Sequence, residues 1–139
     1  MKVKDIMSRQ VVGVHNHETV EVAARTMEQY NIGAMPVYGL GGAVCGMITD
    51  RDLVTRCLAA NRDPGKTTVG QVMTNHLEVV TPEMDISAAA RIMAEKQVRR
   101  LLVIEAGKLC GIVSLKDLAV RAETASEAAK TLIKISENF

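Results

Sequence analysis

Two short phrases in this chain place a hydroxyl and a carboxylate at one fixed spacing. Gly46 to Leu53 reads GMITDRDL and Gly111 to Leu118 reads GIVSLKDL, both of the form Gly-x-x-[Ser/Thr]-x-x-Asp-Leu. Thr49 therefore stands three residues before Asp52, and Ser114 three before Asp117. At a strand-to-helix junction such a hydroxyl caps the helix, and a carboxylate on the first turn is favoured by the helix dipole. The same groups suit a ligand. The hydroxyl can donate to an anion at the helix start, and the carboxylate can accept two hydrogen bonds from a ribose diol. The leading glycine ends or bends a strand, or lets another backbone come close. Taken alone, the phrase leaves the cap and the ligand site both open.

The elements that position these groups come from an internal repeat, which is the first thing to seek in a chain of this kind. Asp5-Ile-Met-Ser8 stands 66 residues before Gln71-Val-Met-Thr74, since 71 minus 5 is 66. The same offset places Val20-Glu-Val-Ala-Ala-Arg-Thr-Met27 on Ile86-Ser-Ala-Ala-Ala-Arg-Ile-Met93. The loop Gly39 to Gly42 is one residue longer than its counterpart, so the offset then falls to 65 and Asp52-Leu53 meets Asp117-Leu118. Each copy reads as a short apolar strand, a helix (Thr19 to Tyr30, or Asp85 to Lys96), two strands around a Gly-bearing turn, and a second helix. In the second copy Ile86, Ala89, Ala90 and Met93 form an apolar stripe, with Asp85 as its N-cap.

The expected fold class is α+β (α/β-like), two β-α-β-β-α repeats packed sheet to sheet with pseudo-two-fold symmetry. Repeat 1 spans 1–60, a turn-rich linker 61–68, repeat 2 69–123, and a C-terminal helical extension 124–139. One such unit buries too little surface to be stable alone, so the sheets of the two copies are expected to pack together and to form two related clefts. In the extension, Leu118, Ala122, Ala125, Ala129 and Leu132 form a small-residue stripe, and Thr124 with Glu127 can cap a fresh helix. That helix is expected either to pack on its own domain or to support a dimer.

Composition narrows the function. Lys plus Arg is 17 against 16 Asp plus Glu, a net charge of +1 that lacks the basic excess of a general nucleic-acid binder. With 47% hydrophobic but 2% aromatic residues, the core must be built of aliphatic side chains and methionine. Cys45, Cys57 and Cys110 form no C-x-x-C, which points to reduced, buried thiols. MKVKDIMSRQ has no apolar core of a signal peptide, and no apolar run reaches the length of a membrane span. A cytoplasmic location without membrane insertion is expected. His15, His17 and His76 could suggest a metal site, but His15 and His17 lie in a polar loop with no Cys or second acidic residue at metal-ligand spacing, so none is expected; no catalytic triad, P-loop or G-x-G-x-x-G is present. Arg25 and Arg91, matched in the two helices, read as structural ion-pair residues.

The chain resembles a tandem pair of cystathionine-β-synthase (CBS) domains, a Bateman module. The resemblance is carried by Asp5-Ile-Met7 and Gln71-Val-Met73, by Ile32-Gly-Ala-Met-Pro-Val37 and Val98-Arg-Arg-Leu-Leu-Val103, and by the two Gly-x-x-[Ser/Thr]-x-x-Asp phrases. It covers residues 1 to about 123. It implies a regulatory, non-enzymatic module that binds an adenosine-containing ligand (AMP, ADP, ATP or S-adenosylmethionine), requires no cofactor, forms a homodimer and modulates a protein partner. One implied pocket combines Ser114 and Asp117 with Val11, Ile32, Gly33 and Ala34 around the base. The other combines Thr49 and Asp52 with Leu77, Val98 and Arg99. Arg99 and Arg100, which replace Gly33 and Ala34, can bind phosphates or can pair with Glu95 or Glu105 at the surface. Lys116 is a further candidate phosphate contact. The competing reading is an interaction or scaffold module whose pockets stay unoccupied.

Overall fold

The computed structural model describes residues 1–121 and 123–137. Its chain divides into two compact units: Val11–Leu77, and Met1–Gln10 together with Glu78 onward. The fold is a mixed α+β one with two three-stranded sheets, one in each unit.

In the Val11–Leu77 unit, β1 (Val14–His15) runs parallel to β2 (Ala34–Tyr38), which is antiparallel to β3 (Val44–Thr49). Helix α2 (Val20–Tyr30) starts where Thr19 Oγ1 accepts the Val22 N–H at 3.2 Å, and ends on Asn31 in the left-handed region. Its faces are set by burial of Val20, Ala23 and Met27, which pack with Met35, Val37 and Ile48 of the sheet. After β3 the chain makes one short helical turn, α3 (Asp50–Asp52), then a wider π-helical stretch over Leu53–Leu58. Leu53 and Cys57 are its buried side chains. Helix α4 (Val69–Val72) closes this unit and buries Val69 and Val72 in the same core.

The other unit repeats the plan. Parallel β4 (Val79–Val80) and β5 (Arg100–Glu105) are followed by antiparallel β6 (Lys108–Ser114). The β5–β6 turn places Ala106 and Gly107 at φ 51° and 77°, the pair of positive φ angles that lets a two-residue turn follow the strand twist. Helix α5 (Ile86–Lys96) buries Ile86, Ala89, Ala90 and Met93, the stripe expected from its spacing, and Asp85 Oδ1 caps it by accepting the Ser87 N–H at 2.9 Å. The residue that caps its C-terminal end, Gln97, is left-handed like Asn31 in the first copy. Helix α1 (Val3–Ile6) completes this core with Val3, Ile6 and Met7.

The compact units therefore do not coincide with the sequence repeats. The opening segment of repeat 1 belongs to the unit built from repeat 2, and the corresponding segment of repeat 2 belongs to the unit built from repeat 1. Ser8 pairs antiparallel with Ile112, and Thr74 with Met47. The glycines of the two phrases make room for this. A Cβ on Gly111 would stand 2.5 Å from the Ser8 carbonyl oxygen, and one on Gly46 2.7 Å from that of Thr74.

Three expectations need correction. Helix α6 (Leu115–Ala119) stops early, and α7 (Ala125–Ser136) begins after a break. The stripe projected from Leu118 does not survive that break, because the helical phase restarts. Ala125, Ala129 and Leu132 are exposed, while Ala128, Thr131 and Ile135 are buried; Ala122 lies outside the described residues. Thr124 starts α7 without capping it, and its hydroxyl instead donates back to the Leu118 carbonyl at 2.6 Å. Helix α7 packs within its own unit, where Thr131 Oγ1 meets the Ala90 carbonyl of α5 at 3.4 Å. Among the cysteines only Cys57 is buried; Cys45 and Cys110 are half-buried.

Candidate functional site: the two strand-to-helix junctions

Both phrases fold into the same reciprocal cap. The Asp52 N–H donates to Thr49 Oγ1 at 3.1 Å, and the Thr49 N–H donates to Asp52 Oδ2 at 3.0 Å. The Asp117 N–H donates to Ser114 Oγ at 3.2 Å, and the Ser114 N–H donates to Asp117 Oδ2 at 2.8 Å. The spacing of three places each side chain over the other's backbone, which satisfies two donors at a helix start. Ser114 Oγ lies 2.9 Å from Asp117 Oδ2 as well, so its proton has an acceptor within the cap. The capping role inferred from the sequence is thus present at both junctions, and in each it uses one carboxylate oxygen, Oδ2.

The second oxygen differs. Asp52 is 8% exposed, and its Oδ1 lies 3.7 Å from Arg56 Nε, one turn along the same helix. Arg56 Nη1 also donates to the carbonyls of Val72 and Met73, at 3.3 Å and 3.1 Å. Asp117 is half-buried, and the hydrogen bonds it accepts among the described residues fall on Oδ2. The residue matching Arg56 is Arg121, beyond the end of α6, where no helical i, i+4 relation reaches back to Asp117.

Each junction is flanked by the strand that faces it. The Asp50 N–H donates to the Gly33 carbonyl at 2.9 Å, and Ala34 is the β partner of Thr49. In the other unit the Leu115 N–H donates to the Arg99 carbonyl at 2.9 Å, and Arg100 is the β partner of Ser114. The structure therefore sets Gly33 and Ala34 beside Thr49 and Asp52, and Arg99 and Arg100 beside Ser114 and Asp117. The set expected around Ser114 and Asp117 divides between the units, since Val11, Ile32, Gly33 and Ala34 belong to the other one. The second set divides too, with Thr49, Asp52 and Leu77 in one unit and Val98 and Arg99 in the other. Ile32 and Val98 are half-buried against their respective cores, and Val11 and Leu77 are half-buried in irregular segments. Lys116 is exposed on the first turn of α6.

Charge separates the junctions further. Arg99 and Arg100 are exposed, and among the described residues neither guanidinium forms the ion pair with Glu95 or Glu105 that the sequence allowed. At the other junction Gly33 takes the place of Arg99, and Asp50 that of Leu115. A side chain at position 33 would meet the Asp50 carboxylate at 2.9 Å. The Asp50–Gly33 contact and the Arg56 tie are features that the sequence reading missed. The i, i+4 spacing of Asp52 and Arg56 was the available signal for the tie. Elsewhere, Arg25 pairs with Glu21 at 2.6 Å, as a structural reading requires. The His15 and His17 rings stack, with centroids 5.5 Å apart.

Two units of one plan, each ending its hairpin in a reciprocally capped hydroxyl–carboxylate junction, define a tandem β-α-β-β-α repeat protein. The CBS domain family matches residues 3–59 and 69–124, and the chain belongs to that family. It is 42% identical over 134 residues to the CBS domain-containing protein YhcV of Bacillus subtilis, covering 96% of this chain and 94% of that protein. It resembles the crystal structure of Hypoxic Response Protein I with two coordinated zinc ions, with a TM-score of 0.77 and 39% identity over 86% of this chain and 97% of the other. That protein's sequence relative comes from Mycobacterium tuberculosis and is 40% identical over 84% of this chain and 81% of its own. The CBS domain pair of protein MJ0100, in complex with 5-methylthioadenosine and S-adenosyl-L-methionine, has a TM-score of 0.75 at 25% identity, covering 86% of this chain and 93% of that one. No helix among the described residues is long and apolar enough to cross a membrane.

Proposed function

We propose that this protein is a regulatory sensor that binds an adenosine-containing ligand at a Gly-x-x-[Ser/Thr]-x-x-Asp junction and passes its occupancy to a partner protein. The observation that carries this reading is the capped carboxylate. The cap holds the Asp117 side chain in one orientation through Oδ2 and leaves Oδ1 able to accept hydrogen bonds from a ribose diol. A pre-oriented acceptor binds with less loss of side-chain freedom than a mobile one. The MJ0100 relative, crystallised with two adenosine-containing molecules, supports the ligand class. A homodimer in the cytoplasm is the expected setting, and neither junction needs a cofactor or carries out a reaction in this role.

A thermal-shift screen with AMP, ADP, ATP and S-adenosylmethionine tests the reading. A ligand present at 100 times its dissociation constant should stabilise the fold by about 2.7 kcal/mol. If none of the four raises the melting temperature at millimolar concentration, the scaffold reading replaces this one.

A further inference from the structure

Helix α7 packs along α5, and the two helices line a groove of about 270 Å³. From α5 it is lined by Ser87, Ala90, Arg91 and Ala94, which share one face by their i, i+3, i+4, i+7 spacing. From α7 it is lined by Glu127, Lys130, Thr131 and Lys134, at the same spacing. Ala90 and Thr131 are the buried members, and the Thr131 hydroxyl meets the Ala90 carbonyl at 3.4 Å. The matching face of α2, 66 residues earlier, carries Glu21, Ala24, Arg25 and Glu28. There Arg25 pairs with Glu21 at 2.6 Å. In α5 the arginine is kept, but both glutamates give way to small neutral residues, Ser87 and Ala94. Arg91 therefore has no carboxylate one turn back. Among the described residues it forms no ion pair with Glu95, one turn on, or with Glu127 across the groove. Lys130 is unpaired in the same sense, and Lys134 has only a 3.7 Å surface contact with Glu137. Three cationic side chains and one carboxylate thus line the groove.

Like charges on facing helices oppose their packing, and nothing in the groove offsets the excess. The short Ala90 and Ala94 side chains leave the space open. A planar guanidinium suits phosphate oxygens through paired N–H donors, and the lysines add point charges from the other helix. We infer that the α5–α7 groove is a site for a small soluble anion bearing two phosphate groups. None of its lining residues belongs to either junction, and the assignment is independent of the adenosine reading. Arg91 holds one phosphate from α5, and Lys130 and Lys134 hold the other from α7. The bound anion bridges the two helices, so its occupancy is linked to the docking of the C-terminal helix. Glu127, the one carboxylate, opposes the anion and limits its affinity.

Isothermal titration of the intact chain with inorganic pyrophosphate, at fixed ionic strength, tests the assignment. Wild-type protein is expected to bind pyrophosphate in this groove. Ser87→Glu restores the carboxylate that repeat 1 has at this place, and should weaken binding about tenfold, as should Arg91→Gln. Arg25→Gln removes the matched arginine outside the groove and should leave binding unchanged. Glu127→Gln should strengthen it. Circular dichroism melts of the four variants establish that each remains folded. Amide exchange should slow along α7 when pyrophosphate is added to wild type, and should not respond in Ser87→Glu. Wild-type protein that binds no pyrophosphate overturns the assignment. So does full binding by folded Ser87→Glu and Arg91→Gln, which places the anion elsewhere, or an equal loss in Arg25→Gln, which makes the effect one of general charge. Exchange in α7 that ignores bound pyrophosphate overturns the bridge between the helices.

Discussion

Ser8 and Ile112 exchange both backbone hydrogen bonds, at 2.8 Å and 3.0 Å, although they come from different sequence repeats. Gly111, next to Ile112, is what permits the approach, because any Cβ there would lie 2.5 Å from the Ser8 oxygen and 3.1 Å from the Met7 sulfur. A backbone oxygen cannot swing aside as a side chain can. Gly111→Ala should therefore destabilise the protein by about 1–3 kcal/mol, the usual range for overpacking. Gly46→Ala, facing the Thr74 oxygen at 2.7 Å, should cost a similar amount. Urea unfolding of the two variants measures both; wild-type midpoints would show that the segments separate freely.

The same glycines show what the sequence could and could not convey. The 66- and 65-residue offsets exposed the duplication and the two matching helices, and the stripe and cap of α5 followed from spacing and from Asp85. The cap at each phrase was legible because it is local, confined to four residues. The exchange of opening segments was not, because Asp5-Ile-Met-Ser8 and Gln71-Val-Met-Thr74 are so similar that either fits either unit by pattern. The fresh helix near Thr124 was legible, but the change of phase across the break was hidden. Leu118, Ala125 and Leu132 keep helical spacing, and only the Thr124 hydroxyl, turned to the Leu118 carbonyl, marks the point where the phase is lost. The neighbours of each junction depend on strand register, so the placement of Arg99 and Arg100 beside Ser114 needed the β5–β6 pairing.

Thr124 gives a second test. It is 2% exposed, and its hydroxyl supplies a 2.6 Å hydrogen bond to the Leu118 carbonyl at the end of α6, which the Arg121 N–H reaches only at 3.5 Å. Thr124→Val keeps the shape and removes the donor, leaving the Leu118 oxygen only its long backbone contact. The expected cost is about 0.5–1.5 kcal/mol. Thr124→Ser should recover most of it, and chemical denaturation of the pair separates the hydroxyl's contribution from that of the methyl group.

Acid should loosen the opening segment of the chain. Hydrogen bonds from Lys2 and Lys4, at 2.6 Å and 2.7 Å, hold the Glu83 carboxyl well down, to about 2 from an ordinary 4.5. A depressed carboxylate contributes stability that is complete above its unfolded value and is lost as pH falls toward the folded one. The loss should thus run from about pH 4.5 to about pH 2. Glu83→Gln should remove that component of the stability–pH curve while leaving the neutral-pH fold intact. Because all three side chains are about half exposed, added salt should shrink the difference between wild type and variant at neutral pH. A variant whose curve parallels wild type below pH 4.5 would remove Glu83 as the cause.

Arg56 joins three backbone and side-chain acceptors, and these need not count equally. Its contact with Asp52 is 3.7 Å long and its side chain is 51% exposed, so the charge attraction is worth at most about 1 kcal/mol. The bonds to the Val72 and Met73 carbonyls sit where α4 ends and those oxygens lack helical donors. Most of what Arg56 contributes should come from that helix end. Arg56→Met, which keeps the aliphatic stem, should lower stability by about 0.5–1.5 kcal/mol. A double-mutant cycle with Asp52→Asn should return a coupling of only a few tenths of a kcal/mol. Amide exchange should quicken first at Met73, whose N–H donates to the Val69 carbonyl across this short helix. A coupling energy as large as the full effect of Arg56→Met would instead make the Asp52 carboxylate the main partner, and α4 would then keep its wild-type exchange rates.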